Sequence, residues 1–242
     1  MREILEYGLV FRFDFNIVLV ITGYLVTIAA GYFLGSLNAG IIISRLVYKD
    51  DIRNHGSGGA GTSDMLHTYG KFPAAVTLIC DGLKALAAIF IGMIFFGNSF
   101  ASTAVYAGAY VGGLAAAAGH AFPVYYKFKG GKSVAAAFAT VLATSPVIAL
   151  LSLVIFGAIV WGTKYVSLGL IMSSMIYPLI LNRLTGMGMH NIIAIILMLL
   201  VVLLHRDNIK RLGAGTENKI NIGRKKIAEA KAKVERKEKG EK

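Results

Sequence analysis

A helix that crosses a bilayer takes about 20 mostly apolar residues, and this chain reaches that scale repeatedly. Apolar runs occupy Ile17–Val47, Phe72–Gly97, Ala101–Ala118, Val166–Leu181 and Asn191–Leu204, and a further one extends from Val134 to Gly162. Inside hydrocarbon every backbone N–H and C=O needs an internal partner, which a continuous helix provides. The expected fold is therefore all-α and polytopic. The Val134–Gly162 run is too long for one upright span and short for two, at ~1.5 Å per residue. Pro146 stands near its middle, behind Thr144 and Ser145. Proline lacks an N–H and clashes with the preceding turn, so two short helices are expected, about 134–144 and 146–162.

Parity then sets the number of crossings. Three segments, 48–71, 119–133 and 205–219, are polar, basic and rich in glycine. If they build one site, an even number of spans must separate each from the next. That holds when the Pro146 region counts as two crossings, which gives about seven transmembrane helices, with the N-terminus outside and the C-terminus cytoplasmic. The positive-inside rule agrees. Arg45, Lys49, Arg53, Lys71, Lys127, Lys129, Lys132, Arg206, Lys210 and Arg211 fall on the tail side. The loops near Asn98–Ser102, Thr163–Tyr165 and Asn182–His190, assigned to the opposite face, carry only Lys164 and Arg183.

Composition narrows the function classes. The chain is 56% hydrophobic and 16% charged, against about 25% charged in soluble domains. Residues 206–242 hold 13 Lys/Arg and 6 Asp/Glu, more than half of the net charge of +12. Nucleic-acid binding needs a positive face on a soluble module, and the body here is apolar. Two units are expected: a transmembrane domain over 1–222 and a basic, Lys/Glu-rich cytoplasmic tail over 223–242 that touches anionic lipid heads. The mixed charges of Met1-Arg2-Glu3-Ile4-Leu5-Glu6 do not suit a cleaved signal peptide. Cys80, the single cysteine, sits in an apolar run and reads as a small buried hydrophobe.

The chemistry lies in the polar segments. Ser36, Gly40 and Arg45 share one broad helical face late in the first run. The stretch Gly56-Ser57-Gly58-Gly59-Ala60-Gly61-Thr62-Ser63-Asp64 has four glycines and three hydroxyls. It suits either a flexible linker or a loop whose backbone, around Ser57 and Gly58, faces an anion. Gly130-Gly131-Lys132-Ser133 stands just before the helix expected at 134. Free N–H groups at a helix start, glycines that permit close approach and a lysine charge make an anion site. A nucleotide-binding P-loop needs glycine where Tyr126 stands, so ATP is excluded. His205 and Asn208, three apart, share a helical face. Asp81 and Lys84 are also three apart inside a span, and an ion pair near the interface is expected. The five histidines include no pair at close metal-ligand spacing. None has an aspartate five residues on, which excludes the soluble-domain glycerolipid acyltransferases with a His-x4-Asp pair.

Taken together the segments resemble the PlsY family of bacterial membrane acyltransferases, over roughly residues 30–220. The likeness rests on Gly-His-x-Phe-Pro-Val and Lys-Phe-Lys-Gly-Gly-Lys within 119–132, and on His-Arg-x-Asn-Ile-x-Arg-Leu-x-x-Gly-Thr-Glu at 205–217. It rests also on Leu-Gly-Ser at 34–36 with Gly40 and Arg45, Asp-Ile-Arg-x-His-Gly-Ser-Gly at 51–58, and Asp-x-x-Lys at 81–84. The chain departs from the family pattern at Asn38, where a proline is usual, at Gly59 and Asp64, where amides are usual, at His67 in place of arginine, and at Ser133. The resemblance implies seven transmembrane helices in the inner (plasma) membrane, a site facing the cytoplasm, no metal or organic cofactor, and partners among membrane lipids and other lipid-synthesis enzymes. It implies transfer of an acyl group from acyl phosphate to glycerol 3-phosphate. Ser36, Arg45, Lys132 and the Gly130–Gly131 backbone would hold phosphate, with Ser57 and Gly58 beside them. His205 would orient or deprotonate the hydroxyl, unless substrate phosphate is the base, and Asn208 would hydrogen-bond the acyl phosphate or the hydroxyl. The departures also admit a paralogue with another polyol-phosphate acceptor or no activity. The rival class is a transporter or lipid-binding membrane protein.

Overall fold

The computed structural model describes residues 17–96, 105–185 and 188–220. The N-terminal segment, the loop at Asn98–Ser102 and the 223–242 tail lie outside the described residues. Those residues form the helices α1 (Ile17–Ser36), α2 (Ala39–Val47), α3 (Thr62–Thr68), α4 (Lys71–Phe96), α5 (Val105–Ala121), α6 (Val134–Thr144), α7 (Pro146–Thr163), α8 (Val166–Thr185), α9 (Met189–Leu204) and α10 (Arg206–Gly213). No strand occurs among the described residues. Four helical stretches are long and apolar enough to cross a membrane: Ile17–Val47, Lys71–Phe96, Pro146–Thr163 and Val166–Leu184. A fifth arises if α9 and α10, bent by 57° at His205, count as one. Outward-facing Phe72, Trp161 and Leu179 are largely exposed, as side chains that meet lipid are.

The α5 helix sits at the centre, packed against α1, α4, α6 and α9. Its crossings are made close by small residues, the usual device where lipid tails compete with side chains for apolar contact. A Cβ on Gly92 would come within 2.0 Å of the Gly108 carbonyl oxygen, and one on Gly35 within 2.2 Å of that of Ala116. Helices cannot approach this closely with any other residue at those points.

Two interruptions shape the bundle. The first, at Pro146, matches the expected division: α6 ends at Thr144 and α7 begins with Pro146 at its first turn, where the missing N–H costs nothing. The second, at Leu37–Asn38, splits a run expected to be one helix. Asn38 caps α2 by accepting from the Ile41 N–H at 3.3 Å. Lys84 Nζ donates to the Leu37 carbonyl at 2.6 Å, and Asp81 Oδ1 accepts from the Ala39 N–H at 3.4 Å. The expected Asp81–Lys84 ion pair forms at 2.7 Å, and its side chains close a break in a neighbouring helix.

One loop lies on the other face from the one expected. The Ile220 N–H donates to the Lys164 carbonyl at 2.9 Å, Ser167 Oγ donates to Glu217 Oε1 at 2.8 Å, and the Lys219 ammonium lies 5.2 Å from the centre of the Tyr165 ring. The turn at Thr163–Tyr165 is thus on the side of the 205–220 segment. Lys164, read above as an exception to the charge rule, shares a side with the segment that carries Arg206, Lys210 and Arg211.

Candidate active site

The three polar segments meet at one end of the bundle. Asp51 caps a single 3-10 turn at Ile52–Asn54, and its carboxylate accepts from Arg45 Nη2 at 2.8 Å and Arg53 Nη2 at 2.7 Å. The Arg53 hydrogen bond, opposed by partial burial and helped by Arg45, holds the Asp51 carboxyl well below the usual range. Arg53 Nη1 also donates to the carbonyls of Tyr126 at 3.0 Å and Lys129 at 3.3 Å, so it fastens the first polar segment to the second. Beneath them Ile41, Ile52, Ala60, Met65 and Ala74 form a small apolar core that carries the glycine-rich loop. His120 anchors the second segment. It lies 3.0 Å from Lys84 Nζ through Nδ1, and its carbonyl accepts from the Gly131 N–H.

Between the segments lies a cavity of about 220 Å³. The glycine-rich loop contributes Ser57, Gly58 and Gly59. The second segment contributes Gly130, Gly131, Lys129 and Lys132. The third contributes Asp207, Asn208 and Arg211. Three cations against one carboxylate leave an anion-attracting space, and donors fixed in a confined site act with little reorganisation.

Of the residues read from sequence, the cavity brings together Ser57, Gly58, Gly130, Gly131, Lys132 and Asn208. Ser36, Arg45 and His205 do not line it. Ser36 is fully buried and its hydroxyl donates to the Tyr32 carbonyl at 2.8 Å. Arg45 is half exposed and engaged with Asp51, over the Tyr126 ring. His205 is 1% exposed, and its Nδ1 lies 2.7 Å from the Val201 carbonyl oxygen. A carbonyl only accepts, so Nδ1 carries the proton and Nε2 holds the lone pair.

The glycines have a different task from the one expected. The Gly130 and Gly131 amides donate to the Ala121 and His120 carbonyls at 3.1 and 3.0 Å, and the Gly58 amide to the His55 carbonyl. These N–H groups are spent on loop structure and are not free for phosphate. A Cβ on Gly131 would sit 2.2 Å from His120 Nε2, and one on Gly130 would sit 2.0 Å from the His120 carbonyl oxygen. The glycines therefore let the loop close onto α5, and the lysine and arginine charges remain to meet an anion.

Two residues were quoted in the sequence pattern without a role. Glu217 Oε1 accepts from Asn208 Nδ2 at 2.7 Å, and Oε2 from Arg211 Nε at 2.7 Å. Burial alone would raise its pKa, but bonds from Asn208, Arg211 and Ser167 outweigh it and hold the carboxyl below its ordinary value. Glu217 thus aims Asn208 and Arg211 from α10, and Arg211 supplies a cation to the cavity wall. The signal in the sequence was the spacing: Arg211 is three residues beyond Asn208 and shares its helical face.

Comparison with known proteins accords with this arrangement. The family model described as glycerol-3-phosphate acyltransferase matches residues 25–215. The chain is similar to the glycerol-3-phosphate acyltransferases of Thermoanaerobacter pseudethanolicus, 38% identical over 194 residues covering 80% of this chain and 94% of the relative, and of Finegoldia magna, 39% identical over 192 residues covering 78% and 92%. It is also similar to a crystal structure of PlsY, an integral membrane glycerol 3-phosphate acyltransferase, in its glycerol 3-phosphate form. That match has a TM-score of 0.73 and 33% identity over 82% of this chain and 96% of the other. A family match across most of the chain, with the polar segments in their expected order, is more than a shared fold. The chain belongs to the glycerol-3-phosphate acyltransferase family of the PlsY type.

Proposed function

We propose that the protein transfers a fatty acyl group from an acyl phosphate to the 1-hydroxyl of glycerol 3-phosphate, giving lysophosphatidic acid at the cytoplasmic face of the cell membrane. The observation that carries this reading is the cavity where Lys129, Lys132 and Arg211 converge. Two phosphate-bearing substrates need such a set of cations, and PlsY has been crystallised in glycerol 3-phosphate and lysophosphatidic acid forms. The acceptor oxygen bonds to the acyl carbon, the bond from that carbon to the phosphate oxygen breaks, and inorganic phosphate leaves. Phosphate is a good leaving group, so the protein mainly positions and neutralises two anions. Asn208, held by Glu217, offers its amide to the substrates. The burial of His205, whose Nδ1 is engaged with the Val201 carbonyl, favours the substrate phosphate as acceptor of the hydroxyl proton.

A seven-helix topology, N-terminus outside and C-terminus inside, is part of this reading. It is supported by the Lys164 turn lying beside the 217–220 segment, which requires α6 and α7 to make an even number of passes. Phosphate release from palmitoyl phosphate, followed with the purified protein and glycerol 3-phosphate, is expected to match lysophosphatidic acid formed. A folded protein that binds glycerol 3-phosphate yet releases no phosphate would remove the enzyme reading.

A further inference from the structure

The glycine-rich loop contains a buried carboxylate that the acyl transfer does not use. Asp64 lies in the first turn of α3 and is 7% exposed. No ion pair to it occurs among the described residues. Its Oδ2 accepts from the Gly61 N–H at 3.2 Å, and its Oδ1 accepts from Ser57 Oγ at 2.6 Å. Gly59 makes room for it, since a Cβ there would come within 2.6 Å of Asp64 Oδ2.

These bonds have a fixed direction. An ionised carboxylate only accepts, so the single hydroxyl proton of Ser57 points at Asp64. Ser57 lines the cavity, and what it can turn toward a ligand is therefore a lone pair. A phosphate oxygen is also an acceptor, and two acceptors facing each other repel. The cationic lining is different: Lys129, Lys132 and Arg211 can only donate, and Asp207 adds one further acceptor. The cavity thus joins three donating cations to an accepting hydroxyl.

We propose that Asp64 sets the polarity of Ser57, so that Ser57 accepts a hydrogen bond from an acceptor-substrate hydroxyl and the phosphate is left to the lysine and arginine cations. Asp64 is a positioning residue acting through Ser57. The assignment rests on the polyol-phosphate reading above and adds which lining residues read which end of that molecule. An amide in place of Asp64 would reverse the polarity. The Gly61 N–H can only donate, so the amide oxygen must face it and the NH2 must face Ser57. Ser57 would then accept from the amide and turn its own proton into the cavity.

The test is equilibrium binding to the full-length protein in detergent, by calorimetric titration with inorganic phosphate and with glycerol 3-phosphate. Binding needs no turnover, so failure of the catalytic reading and failure of this proposal are distinguishable. Ser57→Ala is expected to weaken glycerol 3-phosphate binding about fivefold, the effect of one neutral hydrogen bond, and to leave inorganic phosphate binding unchanged. Asp64→Asn is expected to tighten inorganic phosphate, and to lose that effect when Ser57→Ala is also present. Equal weakening of both ligands by Ser57→Ala would overturn the proposal, as would an Asp64→Asn effect that persists without the Ser57 hydroxyl. If Asp64→Asn does not fold, the two Ser57→Ala titrations decide alone.

Discussion

Two helix interruptions face opposite fates in this protein. At Leu37–Asn38 the polar groups are consumed: the free carbonyl of Leu37 meets Lys84, the free N–H of Ala39 meets Asp81, and the two side chains neutralise each other. One group is left over, the Asn38 amide nitrogen, which has no partner among the described residues. At His205, where α9 turns into α10, the backbone closes on itself through Ile209 N–H and the His205 carbonyl. Here the side chains Asn208 and Arg211 are held from behind by Glu217 and still line the cavity. A charge inside a membrane protein is a functional candidate by default. The comparison shows what refines that rule: a polar residue is available for chemistry when its partners aim it without exhausting it.

Substitutions that separate the two sites test this contrast, and the largest effect is expected at the closed break. Lys84→Met leaves the Asp81 carboxylate buried without its cation, a cost of about 3–5 kcal/mol. Thermal unfolding in detergent should fall sharply, and Asp81→Asn added to Lys84→Met should recover much of the loss. Wild-type melting of the single variant would mean that packing alone holds the break. Lys132→Ala should do the reverse, with unchanged melting and kcat/KM reduced by about 10²–10³; a variant that melts early instead would move Lys132 to the structural class.

Glu217→Gln should lie between these extremes. Weakened bonds to Asn208 and Arg211 should cost about 1–3 kcal/mol and lower both stability and turnover. Its pH dependence has a definite sign. The folded carboxyl is held below its ordinary value of 4.5, so the stabilisation is fully present above that pH and fades as pH falls through the folded value. The gap in melting temperature between wild type and Glu217→Gln should be constant at neutral pH and narrow below pH 4.5; a gap that narrows at neutral pH contradicts the assignment. The smallest effect is expected for Asn38→Ala, which removes a helix cap for about 1 kcal/mol and should be visible in melting but not in kcat.

Much of the frame was legible in the sequence because apolar length and proline act locally. The apolar helices, the division at Pro146 and the Asp81–Lys84 pair all follow from spacing along one chain. The break at Asn38 was hidden, because asparagine inside an apolar run signals no cap until Asp81 and Lys84 arrive from another helix. Ser36, Arg45 and His205 were placed by helical face, which does not say whether a side chain is consumed. Gly130 and Gly131 gave a true signal of close approach, but the approaching group is His120. Glu217 was invisible as a positioning residue because its partners Ser167 and Asn208 are 50 and 9 residues away.

The return of the chain to Lys164 has a practical consequence. Ile220 is pinned at the turn between α7 and α8, and neither it nor that turn lines the cavity of Ser57 and Lys132. A fluorescent reporter or affinity handle joined directly behind Ile220 would start its path at that turn.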